Sequence, residues 1–165
     1  MGYNSTMKIL GIDPGIGRMG WGIITVNSSQ LTVNSYGCIE TSAKQNVQER
    51  LLTIHEDLFK IIKEHQPDVL AIEELFFGAN AKTAMVVGQA RGVALLSASL
   101  NNMSVAAYTP LQVKIALTGY GRGEKAQVGH MVKILLKLPS IPKPDDTADA
   151  LAIAITHAVS RKNKL

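Results

Sequence analysis

Residues 8–26 read KILGIDPGIGRMGWGIITV, and the way the chain continues past Asp13 decides the fold. Lys8 to Asp13 is a short β-type run closed by the turn dipeptide Pro14-Gly15. Gly15-Ile16-Gly17-Arg18-Met19-Gly20 then matches G-x-G-x-x-G, and Glu40 even stands twenty residues downstream. A dinucleotide fold needs a helix N-terminus after those glycines, because the pyrophosphate rests on its free N–H groups. Trp21 to Val26 is instead β-branched and offers no helical cap. The glycines therefore predict a tight hairpin between two strands, and the dinucleotide reading falls.

Working outward, Trp21 to Val26 (WGIITV) and Leu31 to Thr41 (LTVNSYGCIET) read as strands joined by Asn27-Ser28-Ser29. Three strands in an antiparallel meander are expected. Residues 46–65 switch to helical spacing, with Val47, Leu51, Ile54, Leu58, Ile61 and Ile62 on one stripe that Pro67 stops. Asp68 to Glu73 (DVLAIE) fits a buried central strand. Residues 79–100 predict a helix that is apolar or small on nearly every face, with Gly88 and Gly92 allowing close approach. A helix apolar all round is buried on two sides, and in a domain this small the second side reads as another subunit. Ser104 to Tyr108 adds a strand, and 110–118, 125–136 and 147–160 add helices. The order β-β-β-α-β-α-β-α-α-α gives an α/β fold, a mixed five-stranded sheet flanked by helices.

The 165 residues, 46% of them hydrophobic, fit one domain spanning 1–165, with 1–6 and 161–165 as flexible ends. A single cysteine, Cys38, excludes an intrachain disulfide and a cysteine-built zinc site. No uncharged apolar run approaches the ~20 residues of a membrane span. The polar start, Met1 to Met7, does not resemble a secretory signal, so a cytoplasmic protein is expected. The net charge of +4 is unevenly spread. From residue 75 to 144 eight basic residues, among them Lys82, Lys114, Arg122 and Lys125, face one acid, Glu124. The remainder has nine basic and twelve acidic residues. An unbroken basic segment is the expected footprint for a polyanion such as nucleic acid; a solvated basic face is the plainer alternative.

Acids are few enough to weigh singly. Glu49, Glu56, Asp57 and Glu64 lie off the apolar stripe of the 46–65 helix and read as solvated. Asp13 and Glu73 each end an apolar strand, where open α/β sheets commonly build their sites. Asp146 and Asp149 are three apart at the start of the last helix and leave one face, although Asp146 could serve as a simple N-cap. Two unit charges about 4 Å apart repel by about 4 kcal/mol at an effective dielectric of 20. Four converging carboxylates therefore need protons or divalent cations between them, and all-oxygen donors select Mg²⁺ or Mn²⁺. Four unrelated surface acids remain the other reading.

ILGIDPG (9–15), AIEELFF (71–77), GQARG (88–92), QVK (112–114), EKAQV (124–128) and DDTADALAIAITH (145–157) together resemble the RuvC family of Holliday-junction resolvases. The blocks run in order from about Met7 to Val159, and the six residues before Met7 carry none of them. The resemblance implies a ribonuclease H-like fold and a homodimer formed through the 79–100 helix. It also implies Mg²⁺-dependent cutting of four-way DNA junctions, with two ions per subunit and Mn²⁺ as a substitute. Partnership with the RuvA–RuvB branch-migration complex in recombination and repair goes with it. By position, the metal-binding and catalytic carboxylates would be Asp13, Glu73, Asp146 and Asp149. Some relatives have His at the third position, so this chain carries the all-carboxylate version. Phe76 would stack on a junction base, with Phe77 able to take that role, and core packing is the alternative for both. Lys114 and Lys125 match the family's important lysines, while Arg122 and Lys82 are further DNA-contact candidates from the basic segment. The turn Ile16-Gly17-Arg18-Met19 departs from the polar turn of many relatives.

Two rival functions remain in view. An actin-like ATPase also begins with an Asp- and Gly-containing hairpin, but it needs a second subdomain for which 165 residues leave no room. A non-catalytic junction-binding protein would use the basic segment, yet would leave four acids near phosphate without purpose.

Overall fold

The computed structural model describes residues 6–28, 30–75 and 80–162. Five strands and five helices follow the expected order: β1 (Met7–Asp13), β2 (Arg18–Asn27), β3 (Gln30–Glu40), α1 (Val47–His65), β4 (Val69–Glu73), α2 (Ala81–Leu100), β5 (Ser104–Tyr108), α3 (Pro110–Thr118), α4 (Lys125–Leu135) and α5 (Asp145–Lys162). The sheet runs β3-β2-β1-β4-β5. The first three strands form the antiparallel meander, and β4 and β5 add in parallel to β1. The glycine stretch is thus a β1–β2 hairpin, with Asp13 opposite Gly20. Residues 1–6 and 161–165, set apart as ends from the sequence, lie mostly outside the described residues, but Arg161 continues α5.

Strand alternation sorts the core into two layers. Leu10 and Ile12 of β1, with Leu70 and Ile72 of β4, pack on α1 and α2. Ile9 and Ala71 point the other way, into a cluster with Val113, Val128, Leu151 and Ile155 from α3, α4 and α5. Because side chains alternate along a strand, Asp13 follows Ile9 and Gly11 onto the α5 side, and Glu73 follows Ala71 onto the same side. Parallel pairing of β1 with β4 brings both acids out at one end of the sheet.

Local signals set the helix starts. Asn46 and Glu49 form a reciprocal capping box at α1, and Thr109 with Gln112 does the same at α3, where Pro110 opens the helix. Helix α5 starts at Asp145, two residues earlier than the spacing suggested, so Asp146 stands in the first turn rather than at the cap. There its negative charge faces the positive end of the helix dipole.

Glycines let α5 seat closely on the sheet. A Cβ at Gly11 would overlap the Ala150 carbonyl, one at Gly20 the Asp146 carbonyl, and one at Gly22 the Leu151 side chain. Gly11 and Gly22 are cross-strand partners, so three missing side chains form one shallow floor under the helix.

Helix α2 is long and apolar enough to cross a membrane by length and composition alone. Its buried face is small, made by Ala90, Ala94, Ser97 and Ala98, while Met85, Leu96 and Leu100 are 66%, 55% and 64% exposed. Among the described residues, the expected second buried side is therefore left uncovered.

Gly20→Ala should cost about 1–3 kcal/mol by overpacking α5 against β2, read as a lower urea midpoint with an unchanged slope.

Candidate active site

Three elements converge on one end of the sheet. β1 delivers Asp13, β4 delivers Glu73, and the glycine floor brings the first turns of α5, with Asp146 and Asp149, down onto them. Asp13 feels the consequence most. Burial first, and then the charges of Glu73, Asp149 and Asp146, push its carboxyl up to about 8 from an ordinary value of 3.8. Glu73 is raised by burial and then by Asp149. Asp149 is raised by burial, against the pull of Lys125. These acids are placed to repel one another out of bulk water.

One cation stands among them. Lys125, the first residue of α4, places Nζ 2.9 Å from Asp149 Oδ2. That hydrogen bond raises the lysine's own proton affinity. Lys125 and Lys114 also line a cavity of about 250 Å³ with Glu73, Asp149, Val113 and Val128. The expected site thus gathers Asp13, Glu73, Asp146, Asp149, Lys114 and Lys125 in one neighbourhood. Lys125 is bonded to a carboxylate there rather than left free toward a phosphate. Arg122, in the α3–α4 turn, and Lys82, in the first turn of α2, are exposed. Phe76 and Phe77 lie outside the described residues. Of the neighbouring acids, Asp145 turns away to pair with Lys143 at 2.8 Å, and Glu74 is exposed.

The donor chemistry fits a hard divalent ion: every nearby acid offers oxygen, and mutual repulsion favours a cation. The spacing does not yet form a cage, because among the described residues no three of Asp, Glu, His and Cys are grouped to hold one ion.

Sequence reading passed over Arg91. Its Nε donates to the Glu73 main-chain carbonyl at 3.1 Å, tying α2 to the end of β4. The available signal was a lone arginine in the middle of an otherwise apolar helical stretch. The histidines fall where packing would put them: His55 bonds Ser97, His157 bonds Tyr108, and His130 is exposed.

The raised carboxyl at Asp13 sets a pH dependence. An acid whose pKa is higher folded than unfolded favours the folded state while protonated, and costs stability as pH rises from about 4 to about 8. In chelator, Asp13→Asn should therefore be more stable than the parent at pH 8, by about 1–3 kcal/mol from thermal melts, and should match it near pH 4. Added Mg²⁺ should raise the parent's melting temperature and leave that of Asp13→Asn nearly unmoved.

The family model for the crossover junction endodeoxyribonuclease RuvC matches residues 9–157. A protein of that name from Alkaliphilus oremlandii is 55% identical over 152 residues, covering 92% of this chain and 93% of its own. The Caldicellulosiruptor saccharolyticus protein of the same name is 54% identical, covering 96% of both. Thermus thermophilus RuvC, solved in complex with a Holliday junction substrate, superposes with a TM-score of 0.92 at 36% identity, covering 96% of each chain. The match runs from β1 through the acids of α5, so it takes in every element that carries a carboxylate of the cluster. At this identity and coverage, the chain belongs to the RuvC family of crossover junction endodeoxyribonucleases.

Proposed function

We propose that the chain resolves four-way DNA junctions by hydrolysing one phosphodiester in each of two strands of like polarity. The products are 5′-phosphate and 3′-hydroxyl ends that a ligase can rejoin during recombination and repair. The observation that carries this reading is the convergence of Asp13, Glu73, Asp146 and Asp149 from β1, β4 and α5 at one end of the sheet, in a chain of this family. Asp13, Glu73, Asp146 and Asp149 would hold Mg²⁺, two ions per subunit with Mn²⁺ able to substitute. When bound, such ions polarise a phosphoryl oxygen, acidify a water and stabilise the leaving oxygen of an in-line displacement.

The protein's own groups prepare that chemistry. Burial and the neighbouring acids hold the Asp13 carboxyl up at about 8, so a divalent ion bound there would compete with its proton. Lys125 neutralises Asp149 until substrate arrives, and Lys114 adds a second positive charge at the cavity. Arg122 and Lys82 extend the positive surface toward the junction arms, which makes binding salt-dependent. Phe76, with Phe77 beside it, stacks on an exposed base, worth about 1–3 kcal/mol.

The chain acts as a homodimer through α2. Met85, Gln89, Gly92, Leu96 and Leu100 make an uncovered stripe, and at Gly92 a Cβ would meet nothing within 4 Å. Self-pairing of this stripe about a two-fold axis supplies two equivalent sites for two strands. The RuvA–RuvB complex is the expected partner, and the cytoplasm the expected compartment.

On a synthetic four-way junction with Mg²⁺, Asp13→Asn should keep its affinity and lose more than about 100-fold in nicking rate. Mg²⁺-dependent cleavage retained by that variant would refute the assignment. Leu96→Glu should shift the sedimentation profile from dimer to monomer at micromolar concentration and uncouple the paired nicks.

A further inference from the structure

We propose that Arg91 is the positioning residue for Glu73, coupling helix α2 to the active site through the Glu73 main chain; this rests on the nuclease reading above. Among the described residues, no side-chain hydrogen bond holds the Glu73 carboxylate, so its placement depends strongly on where the end of β4 lies. That main chain is held unevenly. The β1–β4 ladder ends at Ile12 and Ile72, one residue short of Glu73. On the β5 side, pairing continues through Glu73 and Tyr108, and Glu74 N–H donates to the Tyr108 carbonyl at 2.8 Å. The Glu73 carbonyl faces away from that bond, past the end of the β1 ladder, and takes its hydrogen bond from Arg91 Nε at 3.1 Å. A charged donor makes this a stronger tie than a neutral one.

The origin of that tie gives it further meaning. The buried face of α2 is Ala90, Ala94, Ser97 and Ala98; Ser97 bonds His55 of α1, and the three alanines pack without any directional tie to the sheet. Arg91 supplies the one side-chain hydrogen bond from α2 to the sheet among the described residues. It neighbours Gly92, which lies on the uncovered stripe, and follows Gly88, where an added Cβ would stand 3.8 Å from Leu75 Cδ1, two residues past Glu73. A shift of α2 when its stripe is covered is therefore delivered to the end of β4. Glu73 is set correctly only when α2 is.

The test compares Arg91→Met, which keeps an unbranched apolar stem and removes the donor, with Arg91→Lys, which keeps a charged donor. Wild type is first shown to nick a synthetic four-way junction with Mg²⁺; failure there overturns the nuclease reading itself. If wild type nicks, Arg91→Met should lose about 10–100-fold in single-turnover rate, the usual scale for a group that orients a ligand. Its junction affinity in chelator and its sedimentation should stay within about twofold of wild type. The Mg²⁺ concentration giving half the full rise in melting temperature should increase several-fold, a readout independent of cleavage. Arg91→Lys should recover most of both losses. The proposal is overturned if Arg91→Met nicks within about twofold of wild type with an unchanged Mg²⁺ midpoint. It is equally overturned if rate and junction affinity fall together, or if Arg91→Lys is no better than Arg91→Met. If Arg91→Met does not fold, Arg91→Gln takes its place against Arg91→Lys under the same criteria.

Discussion

The close seat of α5 on β1 and β2 is the constraint on which the site depends. A helix on a sheet ordinarily stands off by the length of its interleaved side chains. Here Gly11, Gly20 and Gly22 remove those side chains from the floor, and Ala150 and Ala154 thin the helix above Gly11. The first turns of α5 descend until the Asp146 main chain lies against β2. Only then can an acid on a helix act electrostatically on Asp13 and Glu73, which end two neighbouring parallel strands. Strand alternation puts those two acids on the correct face without any further device.

Bringing acids together in a half-buried place is costly, and the molecule limits that cost in two ways. Asp13 takes up a proton, at about pH 8 rather than near 4. Lys125 lays its ammonium on Asp149. Both responses are reversible, unlike replacing an acid with an amide. A cluster held in this way is electrostatically suited to a divalent cation. The same strain makes the carboxylate cluster poor at stabilising the fold, which falls instead to the two hydrophobic layers on either side of the sheet.

Much of this was legible in the chain because it rests on local patterns. KILGID and DVLAIE announce strands that end in acids, and DDTADALAIAITH announces a helix that begins with them. What the chain did not disclose is where non-local geometry decides. Gly20 reads as a turn residue in G-x-G-x-x-G; its steric role appears only when α5, more than a hundred residues later, lies over it. Lys125 reads as a DNA contact from the family resemblance and its place in the basic segment, but its bond to Asp149 depends on how α4 approaches α5. Arg91 carries no local signal for a carbonyl eighteen residues earlier. The last-helix boundary also moved, since Asp145 and Asp146 stand in the first turn, where their charge suits the helix dipole.

Helix α2 shows how one segment can serve two demands that pull in opposite directions. A self-pairing face needs exposed apolar groups and close approach, which Met85, Leu96, Leu100 and Gly92 supply. A scaffold for an active site needs a directional hold, which small alanines cannot give. Distributing the two over different faces of one helix, with a single arginine at the border, lets the outer face change partners without unpacking the inner one. The cost is that α2 has little else to fix it on the sheet. In the proposed dimer, covering the outer stripe would also restrain the element from which Glu73 takes its position.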